Sequence, residues 1–531
     1  MKKIKSIRNW YDEHEGLILC TGSFLIVIAA VASTFISFPV PYEGFDFNLA
    51  SGFYSEDIAV EIETKGSSLA ENPTIKYNMD GDSMEESSTD YNGPIALTVP
   101  ETGYKLYTIT AEVCSSEGKC FEPKVATYIL GKDLSSDVTL DVISLNSPKK
   151  GLYDYEIGIL VPGIMYDQNK NSGAAYIEGN YNQRGKKWER DAHLTMLSKN
   201  GDVLINQPVL IETSGGTSSA YEIKSLKISR YSDGLKFPIK YNEEESTELD
   251  SFRIRAGGQD QYTGNVRSSV VSRLAEESGF DGYSKTKRAV VFLNGEYYGL
   301  FDIQQNFSDL YLATKYGLPN EKNVKKAKGA EASVLKNLGC TITSELVRNR
   351  EELEKQIDID NYLTYYALEI LWNNTDWPMN SFEGWKYAGI MDENKYTDGR
   401  IRFLVYDTDL VYYIKGNAEY FYGATGDNFA AIMEDYGRGD NNAFRIIMKS
   451  DYYRNKFLGI LKDLMSTSFE TNNVLRIIDE EANKIEHQVK VFSSDKEYQE
   501  WKNWIALMKK AASERNTVVR ADVRKYFGVD L

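Results

Sequence analysis

The run "IDIDNYLTYYALEILW" restricts what this chain can fold into more than any other stretch. Apolar residues at Ile359, Tyr362, Leu363, Tyr366, Ala367, Ile370 and Leu371 follow the i, i+3, i+4, i+7 spacing of a helix that buries one face. It runs into "NNTDWPMN", residues 373–380, where Pro378 cannot continue a helix, so Asp376 and Asn380 are expected on a loop leaving a rigid element. A carboxylate and a carboxamide four residues apart either cap a helix end or hold a metal and a substrate.

The 531 residues suffice for two to four domains, and 42% hydrophobic content supports a substantial core. A formal charge of −17 excludes non-specific nucleic-acid binding, which rests on Lys and Arg neutralising phosphates. The three histidines, His14, His193 and His487, are too scattered for zinc-hydrolase spacing or most histidine triads. Chemistry falls to carboxylates, amides and lysines.

Residues 1–16 carry Lys2, Lys3, Lys5 and Arg8 before an uncharged stretch, 17–40. At ~1.5 Å per residue this stretch can cross a hydrocarbon core of ~30 Å. Positive charge before it and Glu43 and Asp46 after it predict a single-pass signal anchor in the cell membrane, N-terminus inside and the bulk extracytoplasmic. The alternative is secretion after cleavage at the small-x-small site Ala30-Val31-Ala32. Cys114 and Cys120, flanking a five-residue turn, either close a hairpin disulfide in an oxidising compartment or are surface thiols of an anaerobe that never oxidises them.

From residue 43 to 131, short alternating runs such as "DIAVEIET", "IALTV" and "KLYTITAEVC" are broken by turn residues, the pattern of a β-sandwich. "IKYNMDGDSMEESSTDYNGPIAL" resembles the small Ig-like modules appended to bacterial chitobiases, which implies a spacer or a ligand-binding module with possible glycan contact. From 138 to 531 the pattern becomes α/β, with an Asn294-Gly295 hairpin and mainly amphipathic helix in the last 80 residues. The expected class is α+β: a membrane-anchored small sandwich followed by an α/β domain with a helical C-terminal part.

Several polar segments in that second region belong together. "ETSGGTSSAYEIKSLKIS" sets Gly215 and Gly216 before a strand and Lys224 near its start, so backbone N–H groups and one ammonium can approach phosphate oxygens. "RIRFLVYDTDL" ends an apolar strand in Asp407 and Asp409, which on an extended chain project to one side. Singly, these are turn residues and a solvated charge. Jointly, with Asp376 and Asn380, they are the parts of magnesium-dependent phosphoryl transfer.

The order "QRGKKWER", "GG…Y-x-x-KS", "GGQD…R", "NGEYYGLFDI", "NYLTYYALEILWNNTDWPMN" and "RFLVYDTDL" resembles the CotH (spore-coat protein H) family of atypical protein kinases over nearly all of 150–531. That resemblance implies a reduced kinase fold using ATP with Mg or Mn. Lys224 would hold phosphate near Gly215 and Gly216. Asp376 would serve the acceptor hydroxyl as base or orienting carboxylate, and Asn380, Asp407 and Asp409 would bind the ion. Gln305 stands where members usually carry a glutamate paired with the lysine; its amide can hydrogen-bond Lys224 but adds no charge. The expected function is an extracytoplasmic kinase acting on Ser or Thr of a secreted or surface protein. The alternatives are a non-catalytic pseudokinase that adheres to surface glycans and a glycosidase using the same aspartates.

Overall fold

The structure is a computed structural model describing residues 44–66, 69, 72–174, 176–231, 234–241, 246–377, 381–391, 393–412, 427–434 and 443–531. The expected tail and membrane anchor, 1–40, and Asn380 lie outside the described residues. Among the described residues no helix is long and apolar enough to cross a membrane.

Residues 44–131 are all strand and turn. A five-stranded sheet runs in the order Gly52–Tyr54, Lys124–Gly131, Tyr104–Cys114, Thr74–Asn78, Thr89–Asp90, faced by the pairs Gly44–Phe47 with Ile62–Lys65 and Ile58–Val60 with Ile95–Leu97. Alternation does the sorting: Ile109, Ala111 and Val113 enter a core with Phe45, Val60 and Ile95. Tyr104 and Leu106, earlier on the same strand, enter the main core of the molecule instead. This unit is thus docked on the rest of the chain: Thr127 Oγ1 donates to Thr195 Oγ1 at 3.1 Å, and Tyr104 Oη to Gln488 Oε1 at 2.9 Å. Cys114 and Cys120 form a disulfide at the end of its longest strand.

A closed seven-stranded barrel comes next: β1 (Asp141–Asn146), β2 (Arg190–Leu197), β3 (Val203–Ser214), β4 (Ser225–Ser229), β5 (Ser251–Arg255), β6 (Thr286–Leu293) and β7 (Glu296–Gln305), ordered β1-β2-β3-β4-β5-β7-β6 around the wall. Asn294 and Gly295 take φ of 52° and 84°, the left-handed pair that a two-residue β6–β7 turn requires. Leu226, Ile228, Phe252, Ile254, Phe301 and Ile303 fill the interior, so their neighbours face outward. Across that outer face Glu212, Lys227, Arg253 and Gln304 align in one row, and Arg255 stands opposite Asp302 in another.

The other half of the main unit is helical around a three-stranded sheet, Val324–Gly329, Phe382–Tyr387 and Arg402–Leu404. Helix α1 (Arg267–Glu277) follows β5, and α2 (Ile359–Leu371) is the helix expected from the sequence. Its N-cap Asp358 accepts from Asn361 N, and the whole expected face is buried, joined by Tyr365, Leu368 and Glu369. Burial on nearly every side explains why a single amphipathic stripe underestimates this helix. The C-terminal residues form α3 (Asp451–Ser466), α4 (Thr471–Phe492) and α5 (Asp495–Phe527), the last opened by a Ser494/Glu497 capping box.

Candidate functional site

The end of α2 is tied down before it reaches the polar loop. Asn428 Nδ2 donates to the Glu369 carbonyl at 2.7 Å and Arg515 Nε to the Ile370 carbonyl at 2.8 Å, satisfying acceptors that a helix end leaves open. Trp377, fully buried, packs on Tyr366 and Phe382 with ring centroids 4.7 and 5.3 Å away. Asp376 is thereby fixed between a helix end and an aromatic anchor. Its carboxylate accepts from Ser381 Oγ at 2.6 Å and its N–H donates to Asn374 Oδ1 at 3.2 Å.

The segment 407–412 runs against this loop. Asn374 Nδ2 donates to the Asp407 carbonyl at 3.3 Å, Thr375 N to Leu410 O at 3.3 Å, and Tyr412 N to Trp372 O at 2.8 Å. The structure therefore brings the Asp376 loop and the Asp407/Asp409 segment together. Of the seven non-glycine residues with positive φ among the described residues, Asn373, Ser381, Asp407 and Tyr412 lie in or beside these two segments. Left-handed backbone at an aspartate and a tyrosine is held only where surrounding contacts over-determine it, which singles this place out. The strand ends at Leu404, and Asp407 has φ 57°, so the two carboxylates do not converge by strand alternation as the spacing suggested.

They converge on Arg255. Its Nη2 lies 3.0 Å from Asp407 Oδ1 and also pairs with Asp409. Asp409 is 3% exposed and accepts from Gln259 N at 3.1 Å; Gly258, at φ 54°, lets the backbone come this close because a Cβ there would strike the Asp409 carboxylate. Burial pushes the Asp409 carboxyl up, with Asp407 adding to the rise and Arg255 opposing it. The turn that carries Gly258 is braced by the fully paired Asp260 and Arg267, whose Nε donates to Val411 O at 2.8 Å. Arg255, Asp260 and Arg267 were missed as site residues, although "GGQD…R" was visible as a motif. Glu369, beneath the loop, was missed too: burial raises its carboxyl to about 8 against hydrogen bonds from Trp372 and Asn374.

A cavity of about 60 Å³ opens beside Asp407, lined among others by Arg253, Arg255, Gln305, Lys328, Glu383 and Tyr406. Its polar walls are under-satisfied. Among the described residues Arg253 Nε, Gln305 Oε1 and Glu383 Oε1 lack hydrogen-bond partners, and Glu383 Oε2 pairs with Lys328 at 2.9 Å. Burial lowers the pKa of Arg253, which has no anion in contact among the described residues.

One expectation, the pairing of Gln305 with Lys224, requires correction. The Lys224 ammonium turns into its own hairpin loop, donating to Tyr221 O at 2.6 Å and lying over the Tyr181 ring. Burial, outweighing Glu222, lowers its pKa to about 8. Gln305 does not meet Lys224, because Gln305 pairs with Phe252 and Phe252 with Ile228. That is four residues beyond Lys224, or ~13 Å along the strands. The Gly215-Gly216 loop is held by Arg184 and Asn182, and the turn after it packs against residues 258–262, beside the Asp409 contact.

Hard oxygens of Asp407 and Asp409 already gathered on one cation suit a divalent ion, and the unmatched Arg253 suits a phosphate. No curated protein matches the chain. The crystal structure of a Helicobacter pylori proinflammatory kinase, CtkA, is similar at 10% identity and a TM-score of 0.24, covering 55% of this chain and 94% of that one. The family described as CotH kinase protein matches residues 211–348 and 342–519, more than half of the sequence, including Lys224, Arg255, Asp376, Asp407 and Asp409, and the chain belongs to that family.

Proposed function

We propose that the protein is an atypical protein kinase that transfers the γ-phosphoryl group of ATP to Ser or Thr of a secreted or surface protein. The observation that carries this reading is the meeting of the Asp376 loop with the Asp407/Asp409 segment beside a cavity in which Arg253 Nε has no hydrogen-bond partner among the described residues. Asp407 and Asp409 would hold Mg or Mn, with Asn380 as a further oxygen ligand; the ion supplies charge neutralisation across the phosphates. Arg253 and Arg255 on the barrel wall would receive phosphate oxygens, the role that the family resemblance gives to Lys224. Asp376, steadied by Ser381, would orient the acceptor hydroxyl and take its proton as the oxygen attacks the γ-phosphorus and ADP leaves with the β–γ bridging oxygen.

Residues 17–40 would hold the chain at the membrane with its bulk outside, a placement that suits the Cys114–Cys120 disulfide. The docked β-unit would then sit beside the barrel, with any glycan contact on its free surface. Isothermal titration of the full chain with ATP, with and without Mg²⁺, tests the reading directly. Metal-dependent binding, with transfer abolished by Asp376→Ala while binding persists, is expected. Absence of nucleotide binding in either condition would favour a pseudokinase adhesion protein, and hydrolysis of oligosaccharide without nucleotide would favour the glycosidase.

A further inference from the structure

A cavity of about 60 Å³ is far below the roughly 300–1,000 Å³ that small-molecule sites occupy, although its walls carry two guanidinium groups and an ammonium. What closes it is identifiable. The Arg255 side chain, only 12% exposed, reaches across from the barrel wall to both carboxylates on the opposite side, with Nη1 donating to Ser268 Oγ at 3.3 Å. It stands where a divalent ion would be coordinated. A cation held by two carboxylates cannot share them with a dication, since like charges within a few ångströms repel strongly in a site shielded from water.

We propose that Arg255 is a positioning residue that trades partners: without nucleotide it neutralises Asp407 and Asp409, and when ATP arrives with its ion it leaves the carboxylates for the phosphates. This rests on the kinase reading and adds to it a linkage between two ligands. Removing Arg255 from Asp409 leaves a charge at 3% exposure with no counter-ion, which is costly unless a metal replaces the arginine at once. Metal alone must displace Arg255 toward Arg253, in a cavity whose further carboxylate, Glu383, is already paired with Lys328 at 2.9 Å, so metal alone binds poorly. A triphosphate supplies anions for both guanidiniums. Metal and nucleotide therefore each raise the other's affinity by one common factor.

The test is Mn²⁺ binding to the full chain, followed by electron paramagnetic resonance of the free ion, with and without a non-hydrolysable ATP analogue. In the native protein the analogue should tighten Mn²⁺ at least tenfold beyond what the analogue chelates in a protein-free control, and adenosine, lacking phosphates, should not. Arg255→Gln should bind Mn²⁺ alone at least tenfold more tightly than the native chain, and the analogue should then add little. Arg255→Lys, which keeps a charge but loses the two-pronged contact, should fall between them. Should Arg255→Gln fail to fold, Arg255→Lys decides: Mn²⁺ alone binding it no more tightly than the native chain overturns the partner exchange. Nucleotide binding with unchanged Mn²⁺ affinity in Arg255→Gln overturns the partner exchange alone. No nucleotide binding by native protein or variant overturns the kinase reading, and the exchange with it.

Discussion

Lys224 and Arg255 are two cations at the same end of neighbouring barrel strands, and both are withdrawn from water. Lys224 is 5% exposed and the Arg255 side chain 12%. Their environments act in opposite directions. Burial lowers Lys224 to about 8, outweighing Glu222, while its ammonium meets a carbonyl and an aromatic ring. Burial acts on Arg255 as well, but Asp409 and Asp407 outweigh it and raise its pKa. Which cation belongs to the carboxylate site is thus decided by where its side chain finds an anion. Neither burial nor nearness to a glycine pair decides it.

The largest test of that contrast removes an anion. Asp407→Ala should lower phosphotransfer about 10³-fold, the usual scale for a charge aimed at a developing transition state. Its side chain is 39% exposed, so thermal unfolding should move little. A variant retaining a tenth of native turnover would show that Asp407 serves Arg255 and not the ion.

The same contrast predicts a pH effect at Lys224. The folded pKa, about 8, is below the unfolded 10.5, so from about pH 8 to 10.5 the unfolded chain binds more protons and stability from this residue rises with pH. Below pH 8 the buried charge costs up to about 3 kcal/mol. Lys224→Met should therefore be more stable than the native protein near pH 7, with the difference closing by pH 10. Equal denaturant midpoints at both pH values would show that the ammonium is solvated.

Nucleotide affinity separates the two faces next. Arg253→Ala should weaken ATP about 10- to 100-fold, from the loss of a charge-assisted contact worth about 1.5–3 kcal/mol. Lys224→Ala should leave it unchanged. The reverse order would restore the lysine to the phosphates and return Arg253 to a structural role.

Helix α2, the Asn294-Gly295 hairpin and the C-terminal helices were legible because each depends on spacing within one segment. That the loop of Asp376 adjoins the segment of Asp407 was an expectation of the family resemblance, and the structure joins the two segments through Asn374 Nδ2 and the Asp407 carbonyl. Arg255 was not legible. Its importance comes from two strands being paired in a register that turns residue 255 outward, and from Gly258 allowing the following turn to close on Asp409. Those are long-range facts, and a glycine-rich stretch next to a lysine offers a more conspicuous local pattern. The docking of residues 44–131 was hidden similarly: Tyr104 and Leu106 look like ordinary strand residues until the barrel lies beneath them.

Gln305 offers the finest discrimination, because the two readings predict opposite signs. Were Gln305 beside Lys224, as the sequence suggested, Gln305→Glu would restore an ion pair and tighten nucleotide binding. The strand register separates the two residues and puts the buried, unpartnered Gln305 Oε1 in the cavity that also holds Arg253, Glu383 and Asp407. A carboxylate added there either repels the phosphates or draws Arg253 away from them. At an effective dielectric of about 20, one unpaired charge several ångströms from another costs on the order of 1–2 kcal/mol, so ATP should bind several-fold more weakly. The loss should shrink below about pH 5 as the new carboxyl protonates. Tighter binding at neutral pH would reject the register argument and reinstate the lysine clamp.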